Sequence, residues 1–188
     1  MTMRSSDVDE PITVVDYDGA WPALFEQERR RVQSALGDVV TRVEHFGSTA
    51  VPGMVGKPIV DLLVGVRALQ AASAHIPALE TLGYENFGEI FILGRVYLRR
   101  RGPLNFNIAM TVESGEFWTA QLVLRDYLQV HPGEVAAYSE SKRCAFAVGA
   151  QLFSSYSQAK GSLPGHIAGA SMVMAQFASM MGSVEPTR

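Results

Sequence analysis

The sequence predicts an α+β domain in which a mixed β-sheet is flanked by helices and the C-terminal third is helical. Three observations predict it. Residues 59–66 form an apolar run broken by one carboxylate, Asp61, which suits a strand buried on both faces. Residues 104–112 alternate strictly, with Leu104, Phe106, Ile108, Met110 and Val112 on one face and Asn105, Asn107, Ala109 and Thr111 on the other. Stretches with helical spacing precede and follow these strands.

Residues 12–15 read as a short first strand. Asp18 is placed to cap a helix running to Leu36, with Pro22 tolerated in its first turn and Gly37 closing it. Trp21, Leu24, Phe25, Val32 and Leu36 fall on one helical face, which should pack on the sheet. Residues 39–46 and 59–66 follow as strands, the second of them central, and residues 68–82 read as one helix ending at Gly83. Two more strands, 90–99 and 104–112, are separated by a polar corner at 100–103. After Glu113-Ser114-Gly115 the pattern is helical, with breaks near 131–133 and 163–165. There is no internal repeat and no low-complexity linker, so residues 1–188 read as a single domain with its core at about 12–165.

Composition narrows the classes. With 188 residues, 47% of them hydrophobic and 19% charged, the chain can bury a core without disulfides or structural metal. The single cysteine, Cys144, excludes an internal disulfide and cysteine-based zinc or iron–sulfur sites, and fits a reducing cytoplasm. The first ten residues lack the apolar core of a signal peptide. Residues 167–182 are apolar but diluted by Ser171, Gln176 and Ser179, which suits a core helix better than a membrane span of about 20 apolar residues. Met172, Met174, Met180 and Met181 suit that core or a subunit interface of a homo-oligomer. A net charge of −3 argues against a nucleic-acid surface.

Chemistry concentrates in residues 43–66, VEHFGSTAVPGMVGKPIVDLLVGV. An ionised side chain inside an apolar strand is costly unless a cation, a hydrogen-bond network or a ligand compensates it, which makes Asp61 the first lead. A Gly47–Ser48 turn, a Pro- and Gly-punctuated connection, Lys57 and then Asp61 resemble the start of a nucleotidyltransferase-fold active site. More specifically, Glu44, His45, Gly47, Ser48, Thr49, Val51, Pro52 and Gly53, followed by Lys57, Pro58 and Asp61, match the E-H-x-G-S-T-x-V-P-G and K-P-x-x-D hallmark of GrpB-like proteins. The resemblance continues through Val15-Asp16-Tyr17, Trp21, Phe25 and Glu28, through Arg125-Asp126-Tyr127-Leu128, His131-Pro132, Tyr138 and Lys142, and through Tyr156 and Lys160.

The resemblance implies a nucleotidyltransferase-like topology and a nucleotide-dependent enzyme, using ATP with Mg²⁺, that transfers a nucleotidyl group to a small-molecule acceptor or activates it. In that picture Gly47, Ser48 and Thr49 hold phosphates, Arg99 and Arg125 add positive charge, and Asp61 anchors the metal. Lys57 neutralises developing charge, His45 donates to a phosphate or acts as a base, and Asn105, Asn107 and Lys142 contact the acceptor. Plainer readings stand beside each role: a serine-capped turn for Gly47–Ser48, an ion pair for Asp61 with Lys57 or an arginine, and a structural pair for Arg125–Asp126.

Two departures from the pattern matter. Nucleotidyltransferases usually place a second carboxylate two positions on, where this chain has Leu63, which excludes a two-metal site built from this strand alone. GrpB-like proteins commonly carry H-x-H where this chain has Asn105 and Asn107, and asparagine neither accepts a proton as a base nor ligates zinc-like metals well. Both losses also suit a catalytically degenerate protein that binds a nucleotide or metabolite and assists a partner enzyme. The resemblance supports that alternative too, because a GrpB-like domain is fused to dephospho-CoA kinase in some proteins. His75, His131 and His166 show no ligand spacing.

Overall fold

A computed structural model describes residues 9–90 and 92–147. The architecture is the expected α+β one, a five-stranded mixed sheet with helices on both faces. Its elements are α1 (Trp21–Leu36), β1 (Val40–Phe46), β2 (Val60–Val66), α2 (Leu69–Ser73), α3 (Ile76–Thr81), β3 (Glu85–Gly88), β4 (Arg95–Arg100), β5 (Phe106–Val112), α4 (Glu116–Val130) and α5 (Pro132–Ala147). The strand order is β1-β2-β5-β4-β3. Only the β2–β5 pair is parallel, and β1–β2, β4–β5 and β3–β4 are antiparallel. The central β2 is the strand that the sequence marks as apolar on both faces.

The period-2 pattern sorts β2 between two cores. Val60, Leu62, Val64 and Val66 join Ile108, Met110, Leu98 and the buried face of α1 (Trp21, Phe25, Val32, Leu36). On the other face Leu63 and Ala109 pack on Trp118, with Phe46, Phe117 and Leu122 of the α4 side partly buried against them. A third cluster joins Val51 and Met54 of the β1–β2 connection to Leu128, Val135 and Tyr138 of α4 and α5. Asp61 therefore lies on the α4 face of the sheet. One buried charge belongs to the α1 core instead: Glu28, 2% exposed, accepts from Tyr84 Oη at 2.9 Å and pairs with Arg100 at 2.7 Å and Arg31 at 3.0 Å. Burial, with the Glu28 charge beside it, pushes the Tyr84 hydroxyl far above its ordinary value and keeps it a donor.

Several elements differ from the sequence expectation. Residues 12–15 form no strand; Val15 makes an isolated bridge to Gly56. Asp18 does not cap α1 directly, since its Oδ1 accepts from Ala20 N at 2.8 Å, one residue before the helix. The helix expected over 68–82 is two short helices, because Pro77 near the start of α3 removes a backbone donor and disfavours helical geometry before it. The strand expected over 90–99 is β4 from Arg95, after a turn with Gly94 at φ +76°, and β3 has no counterpart in the expectation. The break at His131 is present between α4 and α5. The expected break at 163–165, the apolar stretch 167–182, its methionines, Tyr156 and Lys160 lie outside the described residues. Among the described residues no helix is long and apolar enough to cross a membrane.

Candidate functional site

A cleft of about 330 Å³ opens on the α4 face of the sheet, where the turn after β1, the strands β2, β4 and β5, and the helices α4 and α5 meet. Such a volume falls at the lower end of small-molecule sites, about 300–1,000 Å³. Six of the residues singled out in the sequence line it: Gly47, Ser48, Lys57, Asp61, Asn107 and Lys142.

Pairing register brings the two central polar residues together. Asp61 on β2 stands opposite Asn107 on β5, and Asn107 Nδ2 donates to Asp61 Oδ1 at 2.7 Å. The amide orientation follows from its partners: Tyr97 Oη and Arg101 Nη2 both donate to Asn107 Oδ1 at 3.0 Å, which leaves Nδ2 for the carboxylate. Burial, with Asp61 and Glu10 nearby, pushes the Tyr97 hydroxyl up to about 12, so it remains a proton donor. Asn107 is thus positioned to orient Asp61.

The β1–β2 connection brings the carboxylate against the Gly-Ser turn. Gly47 has φ +72° and ψ −167°, and a Cβ on it would lie 2.6 Å from Asp61 Oδ2. A Cβ on Gly56 would lie 2.7 Å from Ser48 Cβ, so two glycines let the turn close over β2. The turn continues into a single 3-10 turn, Ser48–Ala50, too short to supply a useful macrodipole. Positive charge comes instead from Lys142, 1% exposed, whose Nζ donates to Ser48 Oγ at 2.7 Å and Val55 O at 2.9 Å and lies 4.2 Å from the Tyr138 ring centroid. With Oγ engaged as an acceptor, the Ser48 hydroxyl hydrogen can point into the cleft. Lys57 lines the same space.

The remaining candidates lie elsewhere. His45 faces α1, stacked on Phe25 at 4.6 Å between ring centroids, and its Nε2 shares a 2.9 Å hydrogen bond with Thr49 Oγ1. Burial first, and the Arg125 charge second, lower its imidazole to about 4. Thr49 is buried behind the turn. Arg125 pairs with Glu44 and Asp126 at 2.7 Å and donates to His45 O at 2.9 Å, tying α4 to β1. Arg99 holds Glu85 at 3.0 Å and lies 3.7 Å from Glu10. Asn105 precedes β5 and its Oδ1 accepts from Gly102 N at 3.2 Å, so the two asparagines do not line one pocket wall.

Among the lining residues that sequence reasoning missed are Arg95, Tyr97, Phe117 and Gln121. A signal for the first two exists: Arg95, Tyr97 and Arg99 alternate with the apolar Val96 and Leu98, which places them on the face opposite the α1 core. The α4 residues carry no comparable local signal.

A family model described as "GrpB protein" matches residues 11–168. The chain belongs to the GrpB family. The UPF0157 protein YqkA of Bacillus subtilis is 29% identical over 150 residues, 79% of this chain but 44% of that one. The chain spans less than half the length of the first curated relatives it matches. A segment covering 43% of the chain is 34% identical, over 83 residues, to 20% of the dephospho-CoA kinase of Mycolicibacterium paratuberculosis. Among solved structures, the conserved protein GrpB from Enterococcus faecalis aligns with a TM-score of 0.76 at 26% identity, over 91% of this chain and all of that one.

Proposed function

We propose that this GrpB-family chain is a nucleotide-dependent transferase or activating enzyme, binding ATP or another nucleotide with Mg²⁺ and acting on a small-molecule acceptor in the cytoplasm. The observation that carries the reading is the convergence of Ser48, Lys57, Lys142 and Asp61 on one cleft. Phosphate oxygens need donors and cations; here the Ser48 hydroxyl, held by Lys142, and the Lys57 ammonium meet that need.

The donor set fits magnesium in one way. Among the described residues no cluster of three His, Cys, Asp or Glu could hold a metal, so an all-protein cage is out of place. Mg²⁺ is commonly held by one or two carboxylates, substrate phosphates and water, and Asp61 supplies the single carboxylate, oriented by Asn107 and Tyr97. Bound there, the ion would neutralise phosphate charge. The chain's own part is to orient Asp61, hold the phosphates and place the acceptor beside them.

The test is turnover: pyrophosphate release from ATP with Mg²⁺, with pooled small metabolites as acceptors. Release that needs both the pool and Asp61 supports the enzyme. A second reading, a non-consuming binder that assists a partner enzyme, is favoured by the lone carboxylate and by the segment shared with a dephospho-CoA kinase. Nucleotide that binds but is never consumed would select it.

A further inference from the structure

Arg95 takes no part in the phosphate site described above. It begins β4 on the cleft face and lines the cleft together with Ile92, Tyr97, Ala109 and Phe117. Its guanidinium carbon lies 5.2 Å from the Tyr97 ring centroid and 5.8 Å from that of Phe117, so two aromatic rings hold the flat group. Nη2 donates to Ile90 O at 2.7 Å, while Nε is buried without a hydrogen-bond partner. Arg99, Arg100, Arg101 and Arg125 each hold a carboxylate, whereas Arg95 makes no ion pair among the described residues. Burial lowers the proton affinity of its guanidinium without displacing its charge at any working pH. A half-buried cation with spare donors and apolar walls is the arrangement into which an oxyanion binds strongly, because charge-assisted bonds gain in a low-dielectric setting.

We infer that Arg95 is a second anion subsite of the cleft, docking a carboxylate or phosphate group of the acceptor, so that the acceptor is itself a small anionic molecule. The anion subsite rests on the cleft being the ligand site, and calling its occupant the acceptor rests on the transferase reading proposed above.

The test is protection of Arg95 from phenylglyoxal in the wild-type protein, quantified by peptide mass spectrometry, with millimolar phosphate or acetate added at constant ionic strength. Either anion should slow modification of Arg95 several-fold and leave the exposed Arg67 unchanged, and the anion that protects at lower concentration names the group. No protection by either, or equal slowing at Arg67, overturns the inference. Protection should persist in Ser48→Ala; its loss there would merge Arg95 with the phosphate site and overturn a separate subsite. The protecting anion should also raise the melting temperature of wild type more than that of Arg95→Met, where only the Ser48–Lys57 site is left to bind it, with Arg95→Lys between the two. Equal rises in wild type and Arg95→Met overturn it. Failure of nucleotide binding alone would leave all these results unchanged, so the two readings fail separately.

Discussion

Replacing Gly47 by alanine strikes the point where the Gly-Ser turn meets Asp61. Two terms add. The Gly47 backbone, φ +72° and ψ −167°, lies in a region reserved almost entirely for glycine, and an alanine there costs about 1–3 kcal/mol. The added Cβ would stand 2.6 Å from Asp61 Oδ2, so the carboxylate must swing off its hydrogen bond with Asn107, which costs a further 1.5–3 kcal/mol or so for a bond to a charged group. Together these come to roughly 4 kcal/mol, or about 8–16 °C in melting temperature for a domain of this size. Gly53→Ala is the control. It has φ +78° with nothing within 4 Å of an added Cβ, and should lose only about 1–2 kcal/mol. Thermal melts of both variants, repeated in an Asp61→Ala background, isolate the contact: Gly47→Ala should cost about 1.5–3 kcal/mol less when Asp61 is absent. Equal losses for Gly47→Ala and Gly53→Ala, or equal costs of Gly47→Ala in both backgrounds, would refute the placement of Asp61 against the turn.

Asn107→Leu should remove about 1–3 kcal/mol by stranding Asp61 Oδ1 and the Tyr97 hydroxyl, read by thermal melting. His45, lowered from 6.5 to about 4, binds a proton more readily unfolded than folded, so it contributes stability that is full above pH 6.5 and lost as pH falls toward 4. At about 1.4 kcal/mol per tenfold change in proton affinity this is on the order of 3 kcal/mol, and His45→Gln should flatten that part of the stability–pH profile. Arg125→Gln should lower the melting temperature through loss of the Glu44 and His45 ties yet leave nucleotide affinity within about twofold, measured by calorimetry.

Much of the fold is legible because each strand carries its burial in its own period. The doubly apolar β2 is central and parallel to β5, and the buried face of α1 is the one marked by Trp21, Phe25, Val32 and Leu36. What local pattern cannot give is pairing. Asn107 reads as a pocket residue, but that it orients Asp61 depends on the β2–β5 register, and that Lys142 reaches Ser48 depends on α5 crossing 94 residues later in the chain. The three consecutive arginines divide as strand alternation demands, Arg99 toward the cleft face and Arg100 toward Glu28, yet the carboxylates they pair with, Glu85, Glu28 and Glu10, come from distant segments that no local pattern identifies. The single helix expected over 68–82 fails on Pro77, a local signal that the apolar periodicity masked.

The central claim is that nucleotide and magnesium meet at Asp61. The direct measurement is the melting temperature of wild type and Asp61→Asn across a panel of nucleotides, each with and without Mg²⁺. The account predicts a magnesium-dependent rise with at least one nucleotide in wild type, about 2.7 kcal/mol of stabilisation at a hundredfold excess over the dissociation constant, and its loss in Asp61→Asn. A rise that survives in Asp61→Asn, or no rise with any nucleotide well above physiological concentration, would contradict it.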